Sequence, residues 1–166
     1  MKAFILLLIM TISIADAQAG SISRAGLCSN SESTFFSCQT KNQKWISLCG
    51  KLPENLQYRF GISKLVDFKH PENAATGIGD FTFAHFWRFQ TDRLEIGFSN
   101  NGADYALFDY TEEGKRRAGV RITNGDGKER EIVCTGPITS RLGDLEKVLK
   151  CDPDNALNGG NCDFKH

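Results

Sequence analysis

The chain has 166 residues, with 20 Lys and Arg against 20 Asp and Glu, three histidines and six cysteines. A neutral balance without a clustered basic stripe argues against nucleic acid as a partner, because phosphate neutralisation supplies most of that affinity. Neither the cysteines nor His70, His85 and His166 show C-x2-C or H-x3-H type spacing, so no metal and no cofactor is expected.

Residues 1–17 read as a signal peptide. Lys2 supplies one positive charge, residues 3–14 are apolar apart from Thr11 and Ser13, and Ala15-Asp16-Ala17 and Ala17-Gln18-Ala19 are small-x-small cleavage patterns. Cutting after Ala17 or Ala19 removes Lys2 and Asp16 and leaves a neutral chain. An apolar run of about twelve residues is too short to span a bilayer. The expectation is a periplasmic or secreted protein with no transmembrane anchor after cleavage.

An even number of cysteines in an exported chain implies three disulfides. Cys151 and Cys162 flank a turn-rich tail and are expected to close a local loop. Cys28, Cys38, Cys49 and Cys134 then staple the N-terminal hairpin to a late strand, with their pairing open.

From residue 33 to about 135, apolar and β-branched runs alternate with short polar stretches, the pattern of consecutive strands. Residues 33–40 and 43–49 flank Lys41-Asn42, and 56–62 and 64–68 follow closely. The segment 70–79 is the longest internal loop. Residues 81–90 and 93–99 are joined by Thr91-Asp92, and 105–110 follows Asn100-Asn101-Gly102, a hairpin signal because Asn and Gly tolerate positive φ. Strands at 118–123 and 129–135 complete the meander, with Asn124-Gly125-Asp126-Gly127 as a turn and Pro137 as the end of the last strand. Leu94, Ile96 and Phe98 alternate with Arg93, Glu95 and Gly97, so one face of that strand is apolar and the other wet. Phe86 and Trp87 are adjacent and must point to opposite faces, which leaves one ring exposed or covered by something else.

After Thr139-Ser140, the apolar residues Leu142, Leu145, Val148 and Leu149 recur at helical spacing. The predicted fold is therefore mainly β: an antiparallel meander of about eight or nine strands closing into a barrel or a sandwich, with one short C-terminal helix. Residues 18–150 form one domain and 151–166 an irregular, disulfide-closed tail.

No G-x-S-x-G elbow, H-E-x-x-H helix or Cys-His nucleophile pair is present, so no catalytic residue is assigned. His85 sits in an aromatic run and reads as a packed imidazole. Trp87, Arg88, Tyr105 and Tyr110 are candidate interface anchors, since Trp, Tyr and Arg dominate protein interfaces. The run Glu112-Glu113-Gly114-Lys115-Arg116-Arg117 reads as a solvated hairpin tip with mutual salt bridges.

The loop Ser99-Asn100-Asn101-Gly102-Ala103-Asp104-Tyr105 resembles that of small exported bacterial lysozyme inhibitors, the periplasmic and membrane-bound inhibitors of c-type and i-type lysozymes. In that group a Ser-Gly-x-x-Tyr loop projects from a hairpin into the enzyme's catalytic cleft. The resemblance implies a role for Asn101, Gly102, Asp104 and Tyr105 in partner binding, with Asn101 at the serine position, where its amide could also reach a catalytic carboxylate. The segments Phe35-Phe36-Ser37-Cys38, Trp45-Ile46-Ser47-Leu48-Cys49 and Cys134-Thr135-Gly136-Pro137 resemble exported proteins of Gram-negative bacteria. The expected function is a non-enzymatic exported binding protein whose partner is a protein, a lysozyme-like hydrolase on the resemblance. Two alternatives stand beside it: a periplasmic immunity or interaction protein that meets a toxin or envelope component through Trp87, Arg88 and the 112–117 tip, and an enzyme or small-ligand carrier with a barrel pocket.

Overall fold

The computed structural model describes residues 26–63 and 65–162. The expected signal peptide lies outside them. Ten strands form one curled sheet, a half-barrel. They are β1 (Ser33–Thr40), β2 (Trp45–Lys51), β3 (Asn55–Ile62), β4 (Leu65–His70), β5 (Thr82–Arg88), β6 (Thr91–Asn100), β7 (Ala103–Glu112), β8 (Lys115–Asn124), β9 (Glu129–Ser140) and β10 (Lys150–Cys151). The sheet order is β10-β5-β6-β7-β8-β9-β1-β2-β3-β4, so two sequential meanders, β1 to β4 and β5 to β9, meet where β9 pairs with β1.

The meander expected from apolar alternation is present, and three local features differ from expectation. The β5–β6 turn is Phe89-Gln90, two residues before Thr91-Asp92, with Gln90 taking the positive φ of 59°. Pro137 does not end β9. That strand runs on to Ser140, pairing Ile138 with Cys38 and Ser140 with Phe36, and Pro137 falls in the register shift between the Cys38 and Thr40 pairings, where a missing N–H is tolerated. The periodic segment after Ser140 forms a short 3₁₀ turn, Leu142–Leu145, in place of a helix through 149. Leu142, Leu145 and Leu149 are nevertheless all buried, so the apolar spacing marks a segment packed on the core with a tighter winding at its start.

The core lies on one face of the sheet and includes Phe36, Ile46, Leu48, Tyr58, Phe83, Ile96, Phe98, Leu107 and Val120. Curling carries β3 and β4 over β6 and β7: Tyr58 packs on Phe98 at 5.2 Å, His70 stacks on Phe98 at 4.5 Å, and Phe68 stacks on Tyr105 at 5.5 Å. These rings pack against one another on the inner face of the half-barrel. The 71–80 segment is an ordered crossover containing a short helix, α1 (Gly77–Asp80). Gly77 lies so close to β3 that a Cβ there would sit 1.7 Å from the Leu56 carbonyl oxygen, which fixes this position as glycine.

Both ends of the described chain lie against the outer face of the sheet. Near the N-terminus, Cys28 is bonded to Cys49 of β2, Leu27 N–H donates to Ser47 Oγ, and Glu32 takes a fork of two bonds from Arg59 of β3 at 2.6 and 2.7 Å. Near the C-terminus, Cys151 is bonded to Cys162, and Asn158 accepts from His85 N–H and donates to the Asp152 carbonyl, capping the edge of β5 beyond its short pairing with β10. Cys38–Cys134 joins β1 to β9 across the line where the two meanders meet. The local tail loop and the staple to a late strand both form as the cysteine spacing predicts. Among the described residues no helix is long and apolar enough to cross a membrane.

Candidate binding surface

Strand pairing sorts the side chains of β5 to β9 into rows on the outer face, because residues directly opposite one another share a face. One row is Arg88, Thr91, Glu112 and Lys115, and the next is Phe86, Arg93, Tyr110 and Arg117. A third is Ala84, Glu95, Phe108, Gly119 and Val133, and a fourth is Thr82, Gly97, Ala106, Arg121 and Glu131. Charges crowd the first two rows, and small residues lower the surface in the other two.

Glu95 is the pivot of this face. It is 2% exposed, and its carboxylate accepts from Tyr110 Oη, from Arg121 and, at 2.7 Å, from Asn155 Nδ2 of the tail. A buried carboxylate is tolerated when its lone pairs are this fully engaged. Burial and the neighbouring carboxylate push the Tyr110 phenol up to about 12, with Arg121 opposing, so the hydroxyl stays a donor throughout the physiological range.

On either side of Glu95 the surface dips. One depression, of 790 Å³, is lined by Arg88, Arg93, Lys115, Arg117 and Arg121 together with Glu95, Glu112 and Glu113, and tail residues Ala156 and Leu157 wall it. The other, of 430 Å³, is lined by Asp80, Asp104, Glu129, Asp152 and Asp154, with Arg121 its one cation and that already bound to Glu95. The neutral chain is therefore strongly polarised along one face.

The residues named from sequence fall at opposite ends of the β5–β8 hairpins. Asn101 and Gly102 form an exposed two-residue turn with φ of 51° and 76°, the geometry Asn-Gly favours. Asp104 lines the acidic depression and accepts from Ser99 Oγ at 2.6 Å. Tyr105 points the other way, its ring stacked on Phe98 at 4.7 Å within the aromatic core, so it supports the loop from below. At the far end, Trp87 is 67% exposed and Phe89 84% exposed. Of the adjacent pair Phe86-Trp87, the tryptophan is the ring left in solvent. Glu113 N–H donates to the Gln90 carbonyl at 2.8 Å, tying the β5–β6 and β7–β8 tips into one unit. The 112–117 tip does not pair internally as expected. Glu112, Arg116 and Arg117 reach to Arg93, Asp109 and Glu131 on neighbouring positions, because alternation points consecutive side chains apart.

The Glu95 network escaped sequence reading. Its members are spread over three strands and the tail, and nothing in their spacing marks them as neighbours. No known family matches the chain, and no curated protein or solved structure matches it either.

Proposed function

We propose that this is a non-enzymatic exported binding protein that blocks a lysozyme-like cell-wall hydrolase by presenting the Asn101-Gly102 turn and the acidic depression beside it. The observation that carries this reading is the gathering of Asp80, Asp104, Glu129, Asp152 and Asp154 next to that turn, with Arg121 already committed to Glu95. Such a surface attracts a basic enzyme and raises its association rate. The contacting set is Asn101, Gly102 and Asp104, with Tyr105 holding the loop. Purified protein is expected to inhibit c-type or i-type lysozymes, more weakly at high salt, and Asn101→Ala with Asp104→Ala is expected to cost about ten-fold or more in inhibition. Absence of inhibition of both enzyme types removes this reading.

A second reading rests on the joined hairpin tips. Two aromatic side chains as exposed as Trp87 and Phe89, beside Arg88, have the composition of an interface hot spot. In this reading the chain is an immunity or interaction protein that meets a toxin or envelope component there. Retention of a partner from envelope extract by the wild-type chain, lost in Trp87→Ala with Phe89→Ala but kept in the Asn101 and Asp104 variant, separates it from the first.

A further inference from the structure

The 790 Å³ depression concentrates positive charge, and of its cations only Arg88 enters the readings above as a contact. Five cations line it against three carboxylates, and the carboxylates are unequal. Glu95 is saturated by Tyr110, Arg121 and Asn155, and Glu112 is engaged by Arg93 at 2.7 Å, which leaves Glu113 as the carboxylate without an ion pair among the described residues. Among the cations, Arg88 makes a 3.4 Å bond to Thr91 Oγ1, approaches the Phe86 ring and acts on Glu112 through space, and neither it nor Lys115 has an ion-pair partner among the described residues.

The arginines are held as well as gathered. Arg93 lies over the Tyr110 ring at 5.7 Å and engages Glu112 through Nε, and Arg117 lies over the Phe108 ring at 5.1 Å and engages Glu131 through one terminal nitrogen. A guanidinium has five N–H donors, so each keeps further donors after these bonds. Guanidinium groups fixed on aromatic faces and anchored along one edge are pre-organised for bidentate binding of phosphate or carboxylate. Cross-strand pairing explains why the charges stay together: the rows Arg88, Thr91, Glu112, Lys115 and Phe86, Arg93, Tyr110, Arg117 are adjacent on one face. Like charges in a concave site repel one another, and a bound anion relieves that cost.

We propose that this depression is a binding site for a compact polyanion, a small molecule bearing two or more phosphate or carboxylate groups. Arg88 and Lys115 are its cations without an ion pair among the described residues, Arg93 and Arg117 its anchored donors, and Ala156 and Leu157 an apolar wall for the body of the ligand. The site lies across Glu95 from the acidic depression, so it stands or falls independently of hydrolase inhibition.

The test is calorimetric titration of the full disulfide-bonded chain at low salt, with pyrophosphate in one arm and citrate in the other. Saturable binding of either probe is expected, weakening as salt is raised. Binding of pyrophosphate alone assigns the site to phosphate esters, and binding of citrate alone assigns it to polycarboxylates. Arg88→Ala with Lys115→Ala is expected to weaken binding about ten-fold or more, since bonds to charged groups contribute about 1.5–3 kcal/mol each. Both side chains are exposed and neither holds an ion pair among the described residues, so the variant should stay folded, with at most a small fall in unfolding temperature from the Arg88 contacts to Thr91 and Phe86. Glu113→Gln is expected to tighten binding. Failure of both probes to bind at about 10 mM, or equal affinity in the wild type and the Arg88 and Lys115 variant, overturns the proposal.

Discussion

Replacing Glu95 by alanine is expected to destabilise the fold far more than its place on the outer face of a sheet suggests. The change strands three donors at once: the Tyr110 hydroxyl, the Arg121 guanidinium and the Asn155 amide. Removing one partner of a buried ion pair costs about 3–5 kcal/mol, because the remaining charge stays buried and uncompensated. Here the Arg121 side chain keeps 26% of its exposure and can turn partly to water, which places the expected cost near the lower end, about 3 kcal/mol. For a domain of this size that is a fall of roughly 10 °C in the unfolding midpoint. Urea denaturation, followed by tryptophan fluorescence and by circular dichroism, measures it directly. Glu95→Gln should cost less, since an amide oxygen still accepts from Tyr110, and the double variant Glu95→Ala with Arg121→Ala should cost less than the sum of the single changes. A Glu95→Ala variant within about 1 kcal/mol of wild type would refute the view that this carboxylate holds strands and tail together.

Three further outcomes follow from named groups. The Nε2 of His70 is buried without a hydrogen-bond partner among the described residues, and burial holds the imidazole below its ordinary value, with the Asp80 carboxylate and the Asn100 side chain opposing. The unfolded chain therefore binds the proton first, so this residue's contribution to stability falls as pH drops below about 6.5 and levels off beneath the folded value; denaturation midpoints between pH 5 and 7.5 should show the slope, and His70→Phe should remove that part of it. Glu32 is pushed up by burial but more strongly down by Arg59 and Ser29, to about 2 from 4.5, so its contribution is complete above 4.5 and is lost as pH falls toward 2; Glu32→Gln should flatten acid unfolding in that window. Loop-closure entropy makes the Cys38–Cys134 bond, with a separation of 96, worth about 2 kcal/mol more than Cys151–Cys162, with a separation of 11; equilibrium unfolding of the two Cys-to-Ala pairs should show that order.

The sequence carried the strands because alternation is a local property. Leu94, Ile96 and Phe98 face the core, as their spacing from Arg93 and Glu95 requires. The adjacency of Phe86 and Trp87 foretold an exposed ring. The exact turn between β5 and β6 was less legible, since Phe89-Gln90 is not a turn-forming pair by composition and Thr91-Asp92 is. Closure into a half-barrel, the route of β9 past Pro137 and the polarised outer face depend on register between distant strands, which no local pattern reports. For the same reason the acidic depression was hidden in a neutral total charge, and Tyr105 could be placed in the turn but not oriented.

The joint between β9 and β1 has a consequence for how the chain reaches this shape. Each meander can form from neighbours in sequence, but Phe36, Ser37 and Cys38 find Ser140, Thr139 and Ile138 only after the intervening hundred or so residues exist. Synthesis from the N-terminus therefore leaves β1 with one bare edge for most of the chain's production, carrying Phe35, Phe36 and an unpaired thiol at Cys38. That interval is when wrong strand partners and wrong cysteine partners compete hardest, with Cys28 and Cys49 the nearest in sequence. An oxidative refolding experiment should accordingly show its scrambled species centred on Cys38, and a circularly permuted chain that places β9 just before β1 should shorten that exposure and fold faster.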